Sequence, residues 1–220
     1  MDLKEAIRLR HSVRQYKDEP ISEEHVSRLN EIIKQCNIQS GLNMQLICND
    51  PECFDVFLAH YGKFENAVNY IALIAKKSID NREELAGYYG QRIVLEAQMM
   101  GLNTCWVAGT YGKKKCKADI ANDEQLICVI AIGYGKDQGK PHLSKSIDKF
   151  CDMPVDKMPD WFREGVEAAM LAPTAINQQK FKISLVNDEA VIEAKRVPMA
   201  KIDLGIVRYN FEVYSSHKTR

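Results

Sequence analysis

Apolar positions recur along the chain with two different periods, which predict helices and strands in an irregular order. Apolar residues three and four apart predict helices over 2–10, 22–36, 51–61, 82–101, 160–172 and 201–216. Short apolar runs, rich in β-branched and aromatic residues, predict strands over 44–48, 67–77, 103–109, 125–135 and 179–187. Because the strands do not alternate regularly with the helices, the pattern favours an α+β fold in which helices flank a mixed sheet.

A change of composition predicts a connector between two halves of the chain. Residues 136–158 are rich in Lys, Asp, Gly and Pro, which is typical of irregular segments. On either side, residues 25–52 and 161–190 both run helix, polar loop, strand and Asn-Asp, and their loops share the spacing Ser/Thr-x-x-Asn-x-Gln. The pattern predicts a first half over 1–149 and a shortened copy over 150–220.

Composition limits the classes of partner. Thirty basic and thirty acidic residues cancel, so no overall field attracts nucleic acid or an anionic membrane. The longest wholly apolar run, 126–132, is far shorter than the roughly 20 residues of a membrane helix. The first ten residues also lack the apolar core of a signal peptide. We therefore expect a soluble cytoplasmic protein that binds neither nucleic acid nor membrane.

The seven cysteines predict neither a metal site nor a disulfide framework. They stand at positions 36, 48, 53, 105, 116, 128 and 151, without a Cys-x-x-Cys pair and without histidines near them. Buried reduced thiols in a cytosolic protein fit this spacing better.

A short basic segment is the first candidate site. Arg10, Ser12 and Arg14 are spaced by two, so an extended backbone would turn all three side chains to one face. Two guanidiniums and a hydroxyl on one face could hold an anion. The alternative is that Arg8 and Arg10 simply cover the carbonyl groups at the end of the first helix.

Two further segments carry candidate chemistry, and each has a structural alternative. In 171–183, Thr174, Asn177 and Gln179 could hydrogen bond to the edge of a heterocycle, or could cap their own backbone. In 101–114, Gly109 would let the backbone approach a ligand, while Trp106 could be a core residue. The glycine-rich segment 133–141 does not match a phosphate-binding loop, since Tyr134 and Pro141 occupy two key positions, and a turn is the better interpretation.

Taken in order, these segments resemble the nitroreductase family of flavoproteins. The resemblance rests on "RHSVRQY", "GQRIVLEAQMMGLNTCWVAG", "IAIGYGK", "LAPTAINQQKFKI" and "DLGIVRYNFEV", and covers nearly the whole chain. It is closest to the single-chain branch called TM nitroreductases, in which two nitroreductase-like halves share one polypeptide. The resemblance implies a nitroreductase-like mixed or antiparallel sheet flanked by helices, in an internal pseudo-dimer.

The resemblance also implies a binding site for flavin mononucleotide (FMN). In the family, the N-terminal Arg-x-Ser-x-Arg/Lys element grips the phosphate and ribityl chain, which maps to Arg10, His11, Ser12 and Arg14. A basic residue after the "GY" strand reaches the same phosphate, and Lys145 is the candidate, although Ile147 stands where the family often has a second base. The remaining implied contacts lie along the flavin or reach its ring from the second half: Trp106, Ala108, Gly109, Thr110, Pro173, Thr174, Asn177 and Gln179.

The second half has no equivalent of the basic element, so we expect one flavin per chain. The implied activity is an FMN-dependent oxidoreductase that passes hydride from NADH or NADPH to the flavin and on to a nitro compound, quinone or similar small-molecule acceptor. The flavin supplies the chemistry, so no catalytic side chain and no metal are needed. Two alternatives stay open: a flavin-binding sensor, store or redox partner with little turnover, and a structural copy without flavin. The oligomeric state, monomer or homodimer, also stays open.

Overall fold

The computed structural model describes residues 1–57 and 62–220. Within them the α-helices are α1 (Leu3–Leu9), α2 (Glu23–Ser40), α3 (Arg82–Met99), α4 (Asp160–Met170) and α5 (Ala200–Ser215). The strands are β1 (Gln45–Ile47), β2 (Tyr70–Lys76), β3 (Asn103–Val107), β4 (Glu124–Gly133), β5 (Phe181–Val186) and β6 (Glu189–Ala194). None of the helices in these ranges is both long and apolar enough to cross a membrane.

The sequence prediction differs from the structure in two places. Residues 181–194 form a hairpin rather than a single strand, because Asn187 and Asp188 both adopt positive φ and make a two-residue turn between β5 and β6. Of the helix predicted over 51–61, Pro51–Cys53 form only a short 3₁₀ turn, and residues 58–61 lie outside the described residues.

Two antiparallel sheets define the fold, and the predicted α+β class is confirmed. The larger sheet has the strand order β1-β2-β4-β3, and the smaller consists of β5 and β6. Strand β2 is buried on both faces. Ile71 and Leu73 face the main cluster under the helices, whereas Tyr70 and Ala72 face a second cluster beneath the N-terminal segment. The larger sheet is therefore covered on both sides.

Helices α3 and α5 join the two halves at a crossing that requires glycine in both. A Cβ atom at Gly87 would lie 2.1 Å from the carbonyl oxygen of Ile202, and one at Gly205 would lie 2.0 Å from that of Glu84. Each glycine is the sixth residue of its helix. The two backbones thus contact each other directly, in a nearly reciprocal arrangement.

The order of elements in the second half parallels that in the first. Helix, loop, two antiparallel strands and a long helix occur as α2-β1-β2-α3 and again as α4-β5-β6-α5. The second series ends at α5, whereas the first continues into β3 and β4. The shortened copy over 150–220 stays a prediction.

Candidate functional site

A cavity of about 1070 Å³ lies where segments of both halves meet. Of the thirteen site residues predicted from the sequence, eleven line it: Arg10, His11, Ser12, Arg14, Trp106, Ala108, Gly109, Thr110, Pro173, Thr174 and Asn177. Lys145 and Gln179 are not among the lining residues. The fold thus brings the three candidate segments to one place.

The basic segment enters the cavity as extended chain along the edge of β3. Arg10 follows α1 with φ −70° and ψ 119°, which is extended backbone. Ser12 then forms a parallel bridge with Thr104, and the Val13 N–H donates to the Thr104 carbonyl at 3.0 Å. Sheet pairing rather than helix therefore sets the backbone that carries these residues.

Arg10 is a buried cation without a counter-charge. Its side chain lines the cavity although the residue is only 4% exposed. Among residues 1–57 and 62–220, its guanidinium makes neither a hydrogen bond nor an ion pair. Burial lowers the pKa of Arg10 to about 10, so the side chain stays charged at neutral pH. A buried unpaired charge is costly, and an anion in the cavity would offset that cost.

The turn after β4 packs against the basic segment. The Gly139 N–H donates to Asp137 Oδ1 at 2.6 Å, and a Cβ atom on Gly139, whose φ is +72°, would lie 2.8 Å from the Cβ of His11. Lys140 and His142 in the same segment line the cavity. Burial, Arg10 and His142 together lower the pKa of His11, so the imidazole is neutral at pH 7.

Strand β3 builds another wall of the cavity, and helix α3 packs behind it. The indole of Trp106 packs over Gly90, where a Cβ atom would come within 2.5 Å of the ring. Its Nε1–H donates to the buried Gln91 at 3.3 Å, and the Gln91 amide donates to Asn210 on α5 at 2.9 Å. A buried polar chain thus connects this wall to the second half.

Asp203 anchors the loop that the second half contributes. The Ala175 N–H donates to one carboxylate oxygen of Asp203 at 2.9 Å, and the Gln178 amide donates to the other at 2.7 Å. The loop holds Ile176 and Asn177 at φ +46° and +55°, a region that is unfavourable for a β-branched residue. Ile176 is 98% exposed, so the anchoring of the loop, and not burial of its own side chain, maintains this conformation.

Gln179 and Lys145 fasten this loop to the segment after β4. The Gln179 amide donates to the Leu143 carbonyl and to Asn177 Oδ1, both at 2.7 Å, and accepts from the Lys145 N–H at 2.9 Å. The Lys145 ammonium donates to the carbonyls of Gln178 and Gln179 at 2.7 and 3.3 Å. Both side chains have protein partners, and both lie outside the lining of the cavity.

The matching loop of the first half repeats this scheme of hydrogen bonds. The Gln45 amide donates to Asn43 Oδ1 at 3.3 Å and to the Asp119 carbonyl at 2.6 Å, and it accepts from the Asp119 N–H at 2.8 Å. In each loop the glutamine thus pairs with the asparagine two residues earlier and with the backbone of a distant segment. The shared spacing in the sequence reflects a shared local structure.

Several lining residues were not predicted from the sequence. They include Gln15, Lys63, Phe64, Asp137, Gly139, Lys140, His142, Met199, Ile202, Asp203 and Ile206. Lys140 belongs to the segment 133–141, which was interpreted as a turn. The glycines of this segment were the sequence signal that its backbone could approach another segment closely. Lys63 and Ile202 carry no local signal, because only the packing of segments distant in the sequence brings them to the cavity.

Comparison with known proteins identifies the family. The family model "Putative TM nitroreductase" matches residues 2–215. The chain belongs to this family. No curated protein gives a significant match.

Several solved structures have a fold similar to that of this chain. A "putative nitroreductase" from Thermotoga maritima MSB8 is 24% identical over 97% of this chain and 83% of its own, with a TM-score of 0.70. A nitroreductase structure from Desulfovibrio desulfuricans, in complex with FMN, is 20% identical over 70% of this chain and 98% of its own, with a TM-score of 0.56. Another FMN complex, from Exiguobacterium sibiricum 255-15, is 17% identical over 68% and 95%, with a TM-score of 0.52. The nitroreductase-like fold predicted from the sequence is confirmed.

Proposed function

We propose that the chain binds one FMN in the cavity and acts as an oxidoreductase that takes hydride from NADH or NADPH and reduces a nitro compound, quinone or similar acceptor. Membership of the nitroreductase family and the FMN named in two structural relatives support an oxidoreductase with flavin. The observation that carries the proposal is Arg10, which is 4% exposed, lines a cavity of cofactor size, and has no hydrogen bond or ion pair from its guanidinium within the described residues.

The residues present fit a phosphorylated flavin. The cavity, at about 1070 Å³, is at the upper end of volumes typical of sites for small molecules and cofactors. Arg10 has the charge for a phosphate group, and among residues 1–57 and 62–220 it forms no ion pair. Arg14 and the Ser12 hydroxyl line the same side and would add a second cation and a hydrogen bond.

The other lining residues suit a planar heterocycle. The Trp106 indole, Ile202 and Ile206 give the cavity an apolar wall that would exclude water from a bound ring system. Thr174 and Asn177 add polar groups that could orient the ring edge. Bound FMN would supply hydride and electron transfer between a nicotinamide and an acceptor. The chain itself would bind and orient, without a nucleophilic side chain.

Lys145 and Gln179 would act indirectly in this proposal. Both hold the loop 174–179 against the segment after β4, so their replacement would loosen the wall formed by Asn177. A direct contact of either residue with FMN stays a prediction. The phosphate would then depend mainly on Arg10, with Arg14, Lys63 and Lys140 as the nearby cations.

We propose that residues 1–149 and 150–220 are the two halves of an internal pseudo-dimer. The first half supplies the basic segment and the Trp106 wall, and the second supplies the loop anchored by Asp203. Because the cavity is formed by a single chain, we propose that binding of FMN needs no partner subunit.

Reconstitution with FMN tests the proposal. The purified protein, freed of bound small molecules and mixed with FMN, should retain visible flavin absorbance after gel filtration. NADH or NADPH should then bleach the band without oxygen, and a nitroarene or quinone should restore it. Protein that stays colourless contradicts any flavin function. Yellow protein that neither nicotinamide bleaches contradicts the enzyme and favours a sensor or store.

A further inference from the structure

Two cysteines lie side by side behind the cavity loop that follows β3. Cys53 ends the 3₁₀ turn Pro51–Cys53, and Cys116 directly follows the 3₁₀ turn Lys113–Lys115. The Gly112 N–H donates to the Cys53 carbonyl at 2.7 Å, and the Cys116 N–H donates to the Gly112 carbonyl at 3.1 Å. These bonds hold the two turns together, and both cysteines pack in the second hydrophobic cluster.

The two thiols differ in their access to solvent. Cys53 is completely buried in the second hydrophobic cluster, whereas Cys116 is half-buried at its edge. A small dissolved oxidant can therefore reach Cys116. Cys53 lies further inside, where it could react with an oxidised Cys116.

The polar groups around the pair leave Cys53 as the main partner of Cys116. The Tyr70 hydroxyl gives its only proton to Asp50 at 2.6 Å and accepts from the Lys117 N–H at 2.9 Å. Asp50 also pairs with the Lys117 ammonium at 3.4 Å, which reduces its repulsion of a nearby anion. Among the described residues, a negative charge on Cys116 thus has the Cys53 S–H as its main donor, with smaller contributions from Tyr70 and from the backbone N–H of Ala118.

The interaction between the two thiols separates their acidities. Donation from Cys53 lowers the pKa of Cys116, although burial acts in the opposite direction. The same interaction and burial raise the pKa of Cys53. Cys116 is therefore the nucleophile of the pair and Cys53 is the protonated partner.

We propose that Cys53 and Cys116 are a redox-active pair that hydroperoxides convert to an intrachain disulfide. The Cys116 thiolate attacks an oxygen of hydrogen peroxide, the O–O bond breaks and Cys116 becomes a sulfenic acid, while the departing hydroxide combines with the proton that Cys116 released to solvent on ionisation. The Cys53 sulfur then attacks the Cys116 sulfur, the S–O bond breaks, and water leaves with the Cys53 proton. Two thiols are oxidised by two electrons in total, and one hydrogen peroxide becomes two waters.

Cys48 is the matched control for this pair. Its side chain is more exposed than that of Cys116, yet burial of the sulfur raises the pKa of its thiol. Exposure alone would make Cys48 the more reactive residue, whereas the interaction with Cys53 makes Cys116 the more reactive one. The two explanations therefore predict opposite orders of reaction.

Peroxide titration of the reduced full-length protein tests the proposal. We expect non-reducing peptide mass mapping to show Cys53 linked to Cys116, with the loss of two hydrogen atoms, in wild type and in Cys48→Ser. In Cys53→Ser, a sulfenic acid should accumulate on Cys116 and be trapped by dimedone. Oxidation that begins at Cys48, or a dimedone adduct absent from Cys116, would overturn the proposal.

Alkylation provides a test that needs no variant. With limiting iodoacetamide at pH 7, Cys116 of the wild-type protein should be labelled several-fold faster than Cys48. Equal labelling, or faster labelling of Cys48, would show that the pair does not activate Cys116.

Discussion

Arg10 shows at the scale of one residue how a binding site can lower the stability of the protein that contains it. The guanidinium is buried among groups that offer it neither a hydrogen bond nor a carboxylate in the described part of the chain. Such an arrangement is unfavourable in the empty protein and favourable once an anion enters. The same charge should therefore have opposite effects on the free and the FMN-bound protein.

Replacement of Arg10 by methionine separates these effects. The change Arg10→Met removes a buried charge but keeps a side chain of similar length, so the FMN-free variant should be more stable by about 1 kcal/mol. FMN should raise its melting temperature less than it raises that of the wild type. Thermal unfolding with and without FMN measures both quantities. A less stable FMN-free variant that keeps the full FMN shift would contradict the role of Arg10.

The lowered pKa of His11 predicts that the stability of the FMN-free protein depends on pH. Since burial, Arg10 and His142 lower its pKa, the unfolded chain binds a proton at a higher pH than the folded protein does. Stability should therefore fall as the pH drops from about 6.5 through the lowered pKa. Urea unfolding at pH 7.5 and 5.5 should show a larger loss for wild type than for His11→Asn. An equal loss in both would exclude His11 as the source.

At the scale of elements, the crossing of α3 and α5 is set by backbone contact. Gly87→Ala would place Cβ 2.1 Å from the Ile202 carbonyl oxygen and should lower the free energy of unfolding by at least about 2 kcal/mol. Gly109→Ala is the control, because a Cβ atom there has no neighbour within 4 Å and should change stability by less than about 0.5 kcal/mol. Urea denaturation compares the two. Similar values would mean that the helices can move apart without cost.

The sequence predicted most elements but not the hairpin of the second half. Periodicity alone indicated α2, α3 and β4, because long amphipathic or wholly apolar runs have few competing interpretations. Strand β6 was missed because Glu189 and Glu193 break its apolar pattern, and because the turn at Asn187 and Asp188 was interpreted as the end of a strand. Its stability comes from pairing with β5, which is a tertiary contact.

Site residues could be predicted from the sequence where the side chain has few chemical roles. The spacing of Arg10, Ser12 and Arg14 left open an anion site or the end of a helix, and the structure brings all three to one cavity. The partners of Gln179 were not predictable, since an amide binds protein backbone and heterocycle equally well. Lys140 and Lys63 reach the cavity only through the packing of distant segments.

At the scale of the whole molecule, we expect one flavin per chain, although two loops share the Asn-x-Gln spacing. The Gln45 loop bonds to Asp119, and the second half has no basic segment to complete a matching site. Native mass spectrometry of the FMN-loaded protein should show one FMN per chain, whether the protein is a monomer or a dimer. Two FMN per chain would contradict the single site.

We propose that Arg10 holds the phosphate of FMN. Riboflavin lacks this phosphate, so the ratio of the two binding affinities measures what the phosphate contributes. Wild type should bind FMN about 10- to 100-fold more tightly than riboflavin, as expected for charge-assisted bonds to phosphate. Arg28→Met, which removes an exposed arginine paired with Glu31, should keep this ratio. In Arg10→Met the ratio should fall to near one, mainly through weaker binding of FMN. A ratio unchanged in Arg10→Met would show that the phosphate lies elsewhere.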